Sequence, residues 1–187
     1  MTDILIISGH PDLAHSHTNR LILERLEQRF DSLTVHRLDQ RYPDYRIDVA
    51  TEQAALLAAQ VIVLQFPLYW YSVPALLKKW LDEVFSFNFA YGPQGDKLKG
   101  KALQLSFTVG GPAEAYSPLG YNHFPIPQLL HPLEQTAYLA GLRWQPPVYQ
   151  HGMVYIPGVY NTLDTVTARA EQQAQQLIAR LEQLVSA

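Results

Sequence analysis

Two hydrophobic periods alternate along this chain. Short, nearly continuous apolar runs at 3–8, 61–64 and 102–108 have the length and β-branching of strands buried on both faces. Between them apolar residues recur at helical spacing. Ile22, Leu26 and Phe30 share a face after Ser16-His17-Thr18-Asn19, and Leu77, Trp80, Leu81 and Val84 share one after Pro74. Ala170, Ala174, Leu177, Leu181 and Leu184 do the same near the C-terminus. Weaker signals predict a shorter strand over 34–38, a polar loop over 39–45 and an alanine-rich helix over 52–59. A helix over roughly 128–140 with Gly141 at its C-cap and a last strand within 148–156 complete the pattern. Ser72 is the expected N-cap of the helix over 72–85, with Pro74 in its first turn.

Strand and helix alternating at this spacing force an α/β architecture, a parallel sheet with helices on both faces. Five strands favour a flavodoxin-like doubly wound sheet of order 2-1-3-4-5, in a single domain over 1–187 without internal repeats. Ligands of such sheets bind where strands end, so the turns after strands 1, 3 and 4 should meet in one crevice. Those turns, at 9–19, 67–71 and 108–116, are the three oddest loops of the sequence.

Each of the three has its own chemistry. In the first, Ser16, Thr18 and Asn19 offer short polar side chains where a helix begins. The free N–H groups and macrodipole there favour a phosphate, and His10 or His17 adds a donor. Plain N-capping by Ser16 would explain the same residues without a ligand. The second loop, Pro67-Leu68-Tyr69-Trp70-Tyr71, puts three consecutive aromatics in a strand-to-helix turn; the ordinary alternative folds them back onto the core. In the third, Thr108-Val109-Gly110-Gly111 removes side chains where a backbone can approach a planar ligand. Beyond it, Tyr116 and His123 supply a phenol and an imidazole, the usual partners of an anion formed near neutral pH.

Composition narrows the chemistry. The chain has 187 residues, no cysteine and a net charge of −3, with its basic residues scattered, which argues against nucleic acid as a partner. Without cysteine there is no thiolate chemistry, so any redox reaction would need an organic cofactor to carry the electrons. No metal-ligand spacing, P-loop or G-x-G-x-x-G occurs. No apolar run reaches the roughly 20 residues of a membrane span. The N-terminus lacks a basic, cleavable leader, so a cytoplasmic protein is expected.

Gly9-His10-Pro11, Ser16-His17-Thr18-Asn19, Phe66-Pro67-Leu68-Tyr69-Trp70-Tyr71-Ser72-Val73-Pro74-Ala75-Leu76-Leu77-Lys78, Phe89-Ala90-Tyr91-Gly92, Thr108-Val109-Gly110-Gly111 and Tyr116 together resemble the NAD(P)H:quinone oxidoreductase flavoproteins. The similarity spans about 3–156 and is nearest to the short bacterial members, ancillary quinone reductases of glutathione-gated potassium-efflux systems and general stress flavoproteins. It implies a flavin, FMN with FAD as the alternative, since the chain lacks the long C-terminal extension of FAD-using relatives. His10, Ser16, His17, Thr18 and Asn19 would surround the flavin phosphate and ribityl chain. Pro67, Leu68, Tyr69, Trp70 and Tyr71 would line the isoalloxazine, with Thr108, Val109, Gly110 and Gly111 along its pyrimidine side.

Tyr116 and His123 match the family's catalytic tyrosine–histidine pair, with one extra residue between them. Tyr69 stands where larger relatives have glutamine, and Val109 replaces a threonine. The implied activity is ping-pong hydride transfer from NAD(P)H through flavin to a quinone. The alternative is a flavin-binding regulatory subunit of a membrane potassium-efflux transporter; a flavodoxin-like one-electron carrier fits the mild acidity less well. A homodimer is expected from the aromatic row Phe85, Phe87, Phe89 and Tyr91, which is large to leave exposed.

Overall fold

The computed structural model describes residues 3–186. Its parallel sheet is built from β1 (Ile4–Ser8), β2 (Leu33–Arg37), β3 (Val61–Pro67) and β4 (Ala102–Thr108), with β5 (Arg143–Trp144) and β6 (Val148–Gln150) sharing the far edge. Strand order is β2-β1-β3-β4-β5, the doubly wound order expected from the alternation. β1, β3 and β4 are buried at every position because helices cover both faces. On one face, α1 (His17–Arg29) and α7 (Leu163–Val185) pack Ile22, Leu26, Ala170, Ala174 and Leu177 onto Ile4, Ile6, Val61 and Val63. On the other, α2 (Leu38–Arg41), α3 (Val49–Ala58), α4 (Ala75–Val84), α5 (Ile126–Leu129) and α6 (His131–Leu139) cover Leu5, Ile7, Ile62 and Leu64. Each fully buried aliphatic side chain of this size contributes about 1.5–3 kcal/mol.

The fifth strand is where the sequence pattern misleads. Pairing starts at Arg143, whose N–H donates to Lys101 O, and continues with Gln145 N–H on Leu103 O. Pro147 falls where the next donor is needed and has none. The Gln104 side-chain amide takes over, donating to Leu105 O at 2.8 Å and Pro146 O at 2.9 Å. One extra residue is absorbed there, since Leu103 pairs with Trp144 but Ser106 with Val148. The expected strand within 148–156 is thus a broken one that begins five residues earlier.

Several boundaries differ for similar local reasons. The 39–45 loop includes the single turn α2, and α3 starts at Val49 because Asp48 caps it by accepting from Thr51 N–H. The 128–140 helix divides into α5 and α6, with Pro132 in the first turn of α6. Gly141, at a φ of 69°, closes α6 with Gly141 N–H on Tyr138 O and Leu142 N–H on Ala137 O, a Schellman pair. Ser72 does not cap α4; the helix begins at Ala75 behind Pro74, with no side-chain cap. The aromatic row splits: Phe89 is buried and Phe85 half-buried against the core, while Phe87 is 60% exposed and packs its edge on Tyr91.

Candidate functional site

The turns after β1, β3 and β4 meet over the carboxyl edge of the sheet. The first of these turns, Pro67 and Tyr69 from the second, and Thr108 at the end of β4 line a crevice of about 420 Å3 together with Met153, Val154 and Tyr155. A Cβ at Gly9 would lie 2.6 Å from Leu77 Cδ2, so the bare backbone there lets the end of β1 pack directly against α4.

Ser16 is the N-cap of α1, accepting from Asn19 N–H at 3.3 Å. By helix geometry the N–H groups of His17 and Thr18 in the first turn have no intrahelical acceptor. The crevice therefore opens on the positive end of a 13-residue helix. His10 sits beside it, largely buried, with Nδ1 accepting from Asp12 N–H at 3.0 Å. That bond leaves the ring proton on Nε2, as a donor. Burial holds the imidazole below the ordinary histidine pKa, against the upward pull of Asp39 and Asp12, so it donates as a neutral ring near pH 7. His17 contributes backbone only: its Nε2 is 2.7 Å from Thr167 Oγ1, whose own proton goes to Leu163 O, so the ring is tied to α7.

The β3 turn is a tight reversal. Tyr69 and Ser72 exchange N–H···O bonds of 3.0 Å in both directions, with Trp70 and Tyr71 between them at φ values of 46° and 65°. Positive φ at both central residues is the type I′ requirement, ordinarily met by Asn-Gly. The result is that these aromatics do not fold back: Trp70 is 91% exposed, and Tyr69 and Tyr71 are about half as exposed as Trp70. Tyr69 lines the crevice and meets the His10 ring edge-on at 6.3 Å. Tyr71 turns to the other side and donates its phenol to Asn122 Oδ1 at 3.0 Å, tying this turn to the β4 loop.

In the third loop, Leu68 N–H donates to Thr108 O at 2.8 Å, which locks the ends of β3 and β4 together. Val109 is buried, with its N–H on Gln150 O and its carbonyl accepting from Met153 N–H. A Cβ at Gly110 would come within 3.1 Å of Val154, and one at Gly111 within 3.2 Å of Tyr116. Tyr116 stands against His151, ring centroids 5.2 Å apart, and His151 Nδ1 lies 3.3 Å from Gly111 O. Burial, with the neighbouring tyrosines 71, 121 and 160, raises the Tyr116 phenol; burial also lowers the His151 imidazole, which the Gly111 carbonyl and Glu114 offset only in part.

A family model for the flavodoxin-like fold matches residues 2–183. The chain belongs to that flavodoxin-like family. Among its relatives, the glutathione-regulated potassium-efflux system ancillary protein KefF of Klebsiella aerogenes is 40% identical over 175 residues, 94% of each chain. The general stress protein 14 of Treponema denticola, solved in complex with FMN, is 34% identical with a TM-score of 0.87, covering 97% of this chain and 99% of that one. An NADPH-quinone reductase from P. pentosaceus is 33% identical with a TM-score of 0.78, covering 93% and 96%.

Within this flavodoxin-like crevice the structure gathers His10, Ser16, His17, Thr18, Asn19, Pro67, Tyr69 and Thr108 along one wall. Leu68 and Tyr71 face a neighbouring apolar hollow instead. Asn19 lines the crevice, yet its side chain is fully engaged inside the protein. His123 is exposed, at a φ of 60°, and its ring makes no hydrogen bond or ring contact among the described residues. Tyr116 meets His151 in its place. Sequence reasoning passed over His151 because it lies at the end of β6, the strand whose boundaries the two prolines hide.

Proposed function

We propose that this protein is an FMN-dependent NAD(P)H:quinone oxidoreductase of the cytoplasm. The observation that supports it best is the donor set at the crevice: helix N–H groups, the Ser16 hydroxyl and a neutral His10 Nε2–H at one end, with the Tyr69 and Tyr155 rings and Thr108 lining the rest. Such a set suits a ligand with an anionic tail and a planar head, and the FMN complex of a relative 34% identical supplies a molecule of that kind. The 420 Å3 volume is also ordinary for a small-molecule site.

FMN, when bound, would supply two-electron hydride exchange, from NAD(P)H and then to a quinone. The chain's own residues hold and orient. His17 and Thr18 N–H, Ser16 and His10 would take the phosphate. The 108–111 backbone and the Tyr69–Trp70 turn would take the ring system. Tyr116 would donate its phenol to negative charge that develops beside the 110–111 backbone, and His151, its Nδ1–H directed at the Gly111 carbonyl, would hold the Tyr116 ring and keep Nε2 free to take up a proton as that charge develops. His151 replaces His123 in that role; His123 would then belong to the rim.

Titrating apoprotein with FMN and assaying NADH and NADPH oxidation with and without a quinone tests the reading. Tight FMN binding with quinone-dependent oxidation is expected; neither would sink it. Mass analysis of cofactor released by heat distinguishes FMN from FAD. The resemblance to KefF favours a second reading, in which the same protein also serves as a transporter's ancillary subunit. We further propose a homodimer formed over the apolar hollow of about 340 Å3 that Leu68, Phe85, Tyr91, Leu133 and Leu139 line beside the exposed Phe87. A concentration-independent monomer mass in sedimentation would refute that.

A further inference from the structure

One row of the sheet breaks its apolar pattern. On the face covered by α1 and α7, Ser8, Gln65 and Ser106 stand in register across β1, β3 and β4, all fully buried. Above them, from the first turn of α1, comes Asn19, itself 2% exposed. Gln65 Nε2 donates to Asn19 Oδ1 at 2.7 Å. Asn19 Nδ2 then donates to Ser16 Oγ at 3.1 Å and to Thr108 Oγ1 at 3.2 Å. The amide protons are thereby divided, one to each hydroxyl.

Proton counting gives this arrangement a direction. A serine hydroxyl has two acceptor sites and one proton. Both acceptor sites of Ser16 are filled, by Asn19 N–H and by Asn19 Nδ2. What remains to Ser16 is its proton, which has no acceptor among the described residues although the residue lines the crevice. Thr108 likewise accepts from Asn19 and keeps its proton. Were the Asn19 amide reversed, its oxygen would accept from both hydroxyls and their protons would turn away from the crevice. The Gln65 amide supplies the donor that holds it as it is, Nε2 on Asn19 Oδ1, while its own buried Oε1 has no partner among the described residues.

We infer that Gln65, which does not line the crevice, is the positioning residue that makes Ser16 an obligate donor and so sets the site's preference for a phosphorylated flavin. This rests on the FMN reading. Gln65 acts through Asn19, whose part is therefore orientation rather than contact. A hydrogen bond to a charged acceptor is worth about 10- to 100-fold in affinity, so the effect should be read in phosphate discrimination.

The test compares FMN with riboflavin, which lacks the phosphate, by quenching of flavin fluorescence on apoprotein. Gln65→Met should weaken FMN binding about 10- to 100-fold and riboflavin much less, lowering the selectivity ratio. Ser16→Ala should lower it similarly, and the double variant should be no worse than Ser16→Ala alone, because both act on one proton. Equal weakening of both flavins, additive effects, or an unchanged ratio would overturn the inference. A wild-type protein that binds neither flavin would overturn the FMN reading with it. Should Gln65→Met fail to fold, Gln65→Asn, which keeps a buried amide but withdraws it by one methylene, serves in the same cycle.

Discussion

Two buried polar clusters lie on opposite faces of the sheet, and they are built to opposite ends. Beneath α4, the carboxylate of Glu52 is fully buried and accepts from His36 Nδ1 at 2.9 Å, Tyr42 OH at 2.6 Å and Trp80 Nε1 at 2.9 Å, with Arg41 Nε at 3.3 Å. It is closed: every donor around the carboxylate points inward. Beneath α1, the Gln65–Asn19–Ser16–Thr108 chain is open, ending in two hydroxyl protons at a crevice. Both remove polar atoms from water, at a cost that only hydrogen bonding offsets. The closed cluster returns that cost within the fold, so it should govern stability. The open one leaves part of its capacity for a ligand, so it should govern binding.

The sharpest way to break this contrast is Glu52→Leu. Four buried or half-buried donors would lose their acceptor, and removing one partner from such a network costs about 3–5 kcal/mol. Denaturant unfolding should show that loss, while FMN affinity of the folded protein stays near wild type. A large loss of affinity at retained stability would erase the distinction.

Protonation reads the same cluster more gently. Burial, then the hydrogen bond to Glu52, pushes the Tyr42 phenol up to about 12. The unfolded chain ionises near the ordinary tyrosine value of about 10 while the folded one keeps its proton. Stability from this group is therefore complete below pH ~10 and lost as pH rises toward ~12, by about 2–3 kcal/mol. Tyr42→Phe should remove that alkaline slope. On the acid side, burial raises the Glu52 carboxyl, but the bonds from His36, Tyr42 and Trp80 outweigh it and hold the pKa below the ordinary glutamate value. Its contribution is thus present above that value and lost as pH falls below it.

At the Tyr116–His151 pair the expected losses are kinetic. Tyr116→Phe and His151→Ala should each slow bleaching of bound flavin by excess NAD(P)H about 10- to 100-fold, or about 1.4–2.7 kcal/mol in the transition state. His123→Ala should leave it near wild type. Stopped-flow absorbance isolates that half-reaction, and a slow His123→Ala with a normal His151→Ala would reverse the assignment. Melting temperatures should hardly move in any of the three.

What could be read in advance follows the physics of each region. β1, β3 and β4 are nearly continuous apolar runs, and Ile4, Val61 and Ala102 stand in register across them. The first loop was legible because Ser16 has the identity its cap position demands. The aromatic turn was legible as odd but not as a reversal, since Trp70 and Tyr71 lack the asparagine and glycine that usually announce positive φ. His151 and the Gln65 chain were hidden for another reason. Their partners lie far along the sequence, Tyr116 and Asn19, and only the closed fold brings them together.

The smallest expected effect is at Trp70. Its backbone is in the left-handed region at a φ of 46°, which costs a residue with a Cβ about 1–2 kcal/mol, and its indole is 91% exposed. Packing therefore returns little of that strain, and turn geometry alone favours a different residue. Asparagine tolerates this conformation without the extra unfolded-state freedom of glycine. Trp70→Asn should stabilise the protein by about 0.5–1 kcal/mol, a rise of about 1–4 °C in Tm for a domain of this size. Strain kept where it is not structurally needed is characteristic of working sites. The same variant should accordingly raise the KM for quinone while changing the Kd for FMN, set mainly at the phosphate end, much less. A Trp70→Asn protein less stable than wild type would mean the indole packs in solution, and the turn would then belong with the closed cluster.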